Sequence, residues 1–134
     1  MLMELTDAIR AAKRVYLVGN GGSAANAIHI ANDLLACGVK AFTLDAASLT
    51  ASANDFGYET VFARWLEVVG EEGDLLVALS GSGKSPNILA AIETAERKGM
   101  TVHRIFGAPI MGMQEAEEHQ VWLGHEVMRA LKCA

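Results

Sequence analysis

Two short segments of the chain carry the residue types that hold anions. Gly19-Asn20-Gly21-Gly22-Ser23-Ala24 lies between the apolar run Val15 to Val18 and a stretch of helical periodicity from about Ala24 to Ala36. Glycines there let the backbone approach a ligand closely, and the unpaired amides of a helix start attract negative charge. Ser80-Gly81-Ser82-Gly83-Lys84-Ser85 follows the apolar run Asp74 to Leu79 and precedes a helix opened by Pro86. Hydroxyls and free amides at such a position form a cradle for a phosphate group. A Walker A loop is excluded, because it requires glycine at position 78, which is Ala78.

Two further groups could move protons or hold a metal. His29 and Asp33 stand four residues apart on the helix after the first loop, so they share a face and can reach one ligand or each other. Near the C-terminal end, Glu117, Val121, His125 and Met128 fall on one helical stripe, with the carboxylate and the imidazole two turns apart. A competing reading comes from the first loop, which also fits G-x-G-x-x-A. Asp45 at the end of the next strand then stands where a dinucleotide-binding fold places its ribose-binding acid. That scheme does not require the serine-rich second loop, which tips the balance away from it, and no nucleotide cofactor is expected.

The elements that must position these residues alternate. Helix is predicted from about Glu4 to Lys13, strand over Val15–Val18, and helix from Ala24 to Ala36 with Ser23 as its N-cap and Gly38 just past its end. A strand over Lys40–Leu44 and a Ser/Thr/Ala-rich stretch, Ala46 to Asn54, lead through Asn-Asp-Phe-Gly into a helix from Tyr58 to Val69. Strand over Asp74–Leu79, helix from Pro86 to about Lys98, strand over Thr101–Phe106 and a last helix from about Gln114 to Lys132 complete the pattern. Strand and helix in alternation with short connections imply a parallel sheet covered on both faces, with ligands at the carboxyl ends of the strands. With 134 residues, one domain over positions 1–134 is expected.

Composition narrows the partners. Net charge is −5, with no run of Lys or Arg, which argues against a nucleic-acid groove. No apolar run approaches the roughly 20 residues of a membrane span, and the first ten residues have no signal-peptide pattern. Cys37 and Cys133 have no CxxC spacing and read as reduced thiols, so a cytoplasmic location is expected. The 51% hydrophobic content and mean hydropathy of +0.24 point to apolar surface buried between subunits, hence a homo-oligomer, a dimer or a tetramer.

The order and spacing of these loops resemble the SIS (sugar isomerase) domain, and within it the phosphoheptose isomerases. VYLVGNGGSA followed by LLVALSGSGKSPNILAAI carries the first likeness; GNGGSAANAIHIANDL, SANDFGYETVFARWLEVVGEEGD and SGSGKSPNILAAIETAERKGM carry the second, from about Val15 to Phe106. The resemblance implies a three-layer, doubly wound parallel sheet of flavodoxin-like type. Between Gly107 and Gln114 the family has a longer stretch containing a fifth strand, so four strands are expected here. The family's N-terminal helical segment, which helps build its oligomer, is also longer. The implied activity is aldose–ketose isomerisation of sedoheptulose 7-phosphate or a close relative. The second reading is a non-catalytic SIS domain that binds a sugar phosphate or a protein partner.

Carried over residue by residue, the resemblance gives the sugar phosphate to Ser80, Ser82 and Ser85, and the sugar chain to Asn20, Gly21, Ser23 and Asp55. Without it, Asp55 reads as an Asx-turn residue. Asp33 and His125 become the catalytic acid and base. His29, Asp33, Glu117 and His125 become the set that would hold zinc. Asp33 replaces the family's Glu, a reach shorter by about 1 Å, and Glu117 stands where the family has Gln.

Overall fold

Four apolar runs close into one parallel sheet with strand order β2-β1-β3-β4. The computed structural model describes residues 1–108 and 110–131. The strands are β1 (Val15–Val18), β2 (Ala41–Thr43), β3 (Leu75–Ser80) and β4 (Thr101–Phe106), and the helices α1 (Leu2–Ala11), α2 (Gly22–Ala36), α3 (Ala46–Phe56), α4 (Val61–Val69), α5 (Pro86–Arg97) and α6 (Met113–Leu131). Among the described residues there is no fifth strand, and the three-layer α/β architecture expected from the sequence is the one observed.

Strand alternation divides the core in two. Val15 and Leu17 of β1 and Leu75, Val77 and Leu79 of β3 point to one face, where they pack with Leu5, Ile9, Ile30, Leu34, Leu123 and Val127 of α1, α2 and α6. Tyr16, Val18, Leu76 and Ala78 point to the other face, against Phe62, Leu66, Ile88, Ile92 and Ala95 of α4 and α5. β1 and β3 are buried at every position because both faces are covered, which explains their unbroken apolar runs. The strand order reverses between β1 and β3, whose residues Val18 and Ala78 are in register. Their outgoing loops, 19–21 and 81–85, therefore open side by side at the carboxyl edge of the sheet.

The sequence reading needs correction in four places. The Ser/Thr/Ala-rich stretch is a helix, α3, none of whose residues is buried; it lacks the apolar stripe that periodicity detects, and Asp45 starts it by accepting from Ser48 N at 2.8 Å. A 3-10 turn, Tyr58–Thr60, precedes α4 where continuous helix was expected. α2 starts at Gly22 with Gly21 as N-cap, so Ser23 lies inside the first turn and does not cap it. Cys37 is disulfide-bonded and is not the free thiol that its isolation suggested, since spacing carries no information about pairings made through the fold. Cys133 and Lys132 lie outside the described residues. No described helix is long and apolar enough to cross a membrane.

Candidate active site

The first loop is shaped by what cannot be present on it. A Cβ on Gly19 would lie 2.7 Å from the backbone carbon and oxygen of Ser23, so the tight exit from β1 into α2 excludes any side chain there. Gly21 takes φ +55°, a region that favours glycine, and stays exposed at the head of α2. Ser23 is buried, and its Oγ accepts from Gln120 Nε2 at 3.0 Å. Gln120, itself 1% exposed, also accepts from Asn26 Nδ2 at 2.9 Å. Ser23 thus ties α2 to α6.

The serine loop divides its work among three hydroxyls. Ser80, 4% exposed, accepts from Gly83 N at 2.9 Å, and Ser82 accepts from Lys84 N at 3.1 Å. Each hydroxyl keeps its O–H to donate, which is what a phosphate oxygen requires. Ser85 caps α5 with its backbone and makes no side-chain cap bond. Pro86 at the first helical position pre-sets the turn. Gly107 N donates to Ser80 O at 3.2 Å, and a Cβ on Gly81 would meet Met113 Sδ at 2.3 Å. Gly107 and Met113 therefore lie directly against this loop.

From there α6 runs along α2 to the second cluster. Gly124 lets the two helices come close, since a Cβ there would stand 2.7 Å from Ile30 Cγ1. That approach brings His125 Nε2 to 3.1 Å from His29 Nε2. Asp33 Oδ2 lies 3.3 Å from His29 Nε2 and 3.8 Å from His125 Nε2. This carboxylate oxygen is buried and makes no hydrogen bond. Two imidazole nitrogens and one carboxylate oxygen, all within 4.8 Å of one another, form a donor set suited to a divalent cation such as zinc. His125 also lines a cleft of about 510 Å³ with Asn26, Glu117, Val121 and Trp122.

Three more sequence-predicted residues are placed as follows. Glu117 shares the His125 cleft but is outside the cluster; its carboxylate lies over Gly22, where a Cβ would be 1.6 Å from Oε2. Asp55 is exposed in the last turn of α3, accepts from Asn54 Nδ2 at 3.1 Å, and lines a separate cleft of about 370 Å³ with Asp45, Ser48 and Arg64. Asn20 already has partners, Asn87 and Tyr58. The acid of the dinucleotide reading, Asp45, accepts from Ser48 N through one oxygen and from Ser48 Oγ through the other. Those bonds hold its carboxyl below the ordinary aspartate range and commit it to capping α3. The sequence reading missed Asn87, Gln120 and Gly124; only the SPN tripeptide at a helix start marked any of them.

Loops at the switch point of a doubly wound sheet, with carboxylate, imidazole and hydroxyl groups around them, define an α/β domain with its candidate site at the carboxyl edge of the sheet. Residues 3–107 match the SIS domain family, and the chain belongs to it. It is 45% identical over 121 residues to a phosphoheptose isomerase of Akkermansia muciniphila, covering 84% of this chain and 64% of that one. It is 49% identical over 96 residues to that of Burkholderia pseudomallei, covering 66% and 49%. The phosphoheptose isomerase structure from Neisseria gonorrhoeae superposes with a TM-score of 0.92 at 25% identity, over 97% of this chain and 84% of that one. The chain thus spans less than two thirds of the length of the curated relatives it matches.

Proposed function

We propose that the protein is an aldose–ketose isomerase acting on a phosphorylated seven-carbon sugar, interconverting sedoheptulose 7-phosphate and a heptose 7-phosphate. The observation that carries this reading is the convergence of Asp33, His29 and His125 at one end of a path whose other end is the serine loop. Ala116 of α6 packs at Gly81, and His125 lies nine residues farther along, roughly 13.5 Å of helix. A phosphorylated sugar chain extends over such a distance with its phosphate in the serine loop and its carbonyl at the cluster.

The O–H groups of Ser80, Ser82 and Ser85 and the first-turn amides of α5 hold the phosphate. A base, Asp33 or His125, takes the proton from C1 of the ketose, and the C–H electron pair becomes the C1–C2 double bond of an enediol(ate). The other group delivers a proton to C2 while the hydroxyl proton passes from O1 to O2, leaving the aldose. His29, Asp33 and His125 would hold a zinc ion, and the chemistry it would supply is polarisation of the sugar carbonyl. Incubation with sedoheptulose 7-phosphate in deuterated water tests the reading: deuterium must enter the sugar at C1 or C2, and a sugar that stays unlabelled would refute it.

The second reading, an SIS domain that binds a sugar phosphate or a protein partner without turnover, is favoured by the lack of a fifth strand among the described residues. In it the sugar binds and no label enters. Homo-oligomer formation belongs to the proposal as well. Val68 is 84% exposed beside an apolar groove between α4 and α5 of about 570 Å³. A monomer mass by light scattering at micromolar concentration would contradict it. A cytoplasmic location is proposed with the substrate, a charged sugar phosphate retained inside the cell.

A further inference from the structure

The side-chain amides of Asn20 and Asn87 exchange two hydrogen bonds. Asn20 Nδ2 donates to Asn87 Oδ1 at 2.9 Å, and Asn87 Nδ2 donates back to Asn20 Oδ1 at 2.8 Å. The Tyr58 hydroxyl donates to the same Asn20 Oδ1 at 2.6 Å. Three segments far apart in sequence meet here: the loop after β1, the 3-10 turn before α4, and the first turn of α5. We propose that Asn87 is a positioning residue that holds the glycine loop at a set distance from the serine loop, so that one ligand can engage both. The inference rests on the sugar-phosphate reading of the site.

Hydrogen-bond capacity supports this assignment. A carboxamide has two N–H donors and two acceptor sites. On Asn20 both acceptor sites and one N–H are occupied, so its remaining N–H is what it can offer a sugar hydroxyl. Asn87 is 2% exposed, and breaking the pair would strand a buried amide. The loop itself is soft: three of the four residues from Gly19 to Gly22 are glycine, and glycine loses the most conformational freedom on ordering. Asn20 is the one side chain in that run able to anchor it. Asn87 follows Ser85 by two residues in the turn that ends the serine loop, so the anchor and the phosphate cradle move as one body.

The test combines Asn20→Ala, Asn87→Ala, their double variant and Tyr58→Phe. Affinity is measured by calorimetry for sedoheptulose 7-phosphate and, as a probe of the serine loop alone, for inorganic phosphate. Each alanine variant should weaken the sugar phosphate about ten-fold or more, with the double variant within about two-fold of the weaker single, because the two residues act as a unit. Inorganic phosphate should change by less than about three-fold, and Tyr58→Phe should weaken the sugar phosphate by about three-fold. Hydrogen exchange supplies an arm independent of substrate and of alanine variants that fail to fold: Tyr58→Phe, a change at an exposed residue, should speed exchange at residues 19–23 and leave the amides of β4 unchanged. Additive losses in the double variant, equal losses for both ligands, or unchanged exchange at 19–23 would each overturn the proposal. Unmodified protein that binds no sedoheptulose 7-phosphate would sink the isomerase reading instead, and the exchange arm would still decide the clamp.

Discussion

Replacing Asp33 by asparagine removes the one carboxylate of the His29/Asp33/His125 cluster while keeping its size. Asp33 Oδ2 lies 3.3 and 3.8 Å from the two imidazole Nε2 atoms. The imidazole side chains are 49% and 44% exposed, so water screens any charge attraction between the groups to about 1 kcal/mol or less. The weight of Asp33 lies instead in proton transfer, where a positioned general acid or base contributes about 100-fold or more. Because that oxygen is buried without a hydrogen bond, losing its charge should leave the melting temperature unchanged or raise it. The expected pattern is a fall of about 100-fold in deuterium incorporation from solvent into sedoheptulose 7-phosphate, with calorimetric affinity for that sugar retained. Asp33→Glu keeps the charge and should keep or raise turnover. An Asp33→Asn protein that labels its substrate at the unmodified rate refutes Asp33 as the proton acceptor.

Other outcomes follow from the same geometry. Ser82→Ala deletes an exposed O–H donor to the phosphate and should weaken sugar-phosphate binding by about ten-fold or more; unchanged affinity by calorimetry removes this hydroxyl from the site. Gly124→Ala drives a Cβ against Ile30 Cγ1, costing about 1–3 kcal/mol and parting α2 from α6. It should lower the melting temperature and weaken zinc binding together, and a loss of stability with zinc affinity intact would separate Gly124 from the cluster. Burial pushes the His103 imidazole below the usual histidine range, with Glu4 opposing and the N-terminal amine adding to the shift. Below about pH 6.5 the unfolded chain therefore binds a proton that the folded chain does not. Stability should fall as pH drops from there toward the lower folded value, and His103→Gln should flatten that part of the profile; identical slopes of melting temperature against pH in the two proteins would count against it.

Much of the frame was legible before any coordinates. β1 and β3 are buried on both faces, so their sequences are unbroken apolar runs, and the loops after them were recognised because glycine, serine and proline act locally. β4 was placed over its observed span, and α5 was opened correctly at Pro86. α3 escaped because a helix with no buried residue writes no periodic signal. Its start was nonetheless marked by Asp45 and Ser48, a capping pair three residues apart.

What the sequence determined by itself was most of the elements, their α/β order and the glycine- and serine-rich make-up of the two loops, since these depend on interactions within a few residues. The tertiary structure decided which candidate side chains are free to act. Ser23 is engaged by Gln120 and Asn20 by Asn87, partners 97 and 67 positions away, which leaves each with a single donor to offer. Glu117 shares a helix with His125 yet lies over Gly22, while His29, Asp33 and His125 converge because Gly124 admits α6 against α2. A polar side chain has few hydrogen-bonding positions, and once the fold has filled them with partners distant in sequence, no local pattern can show it.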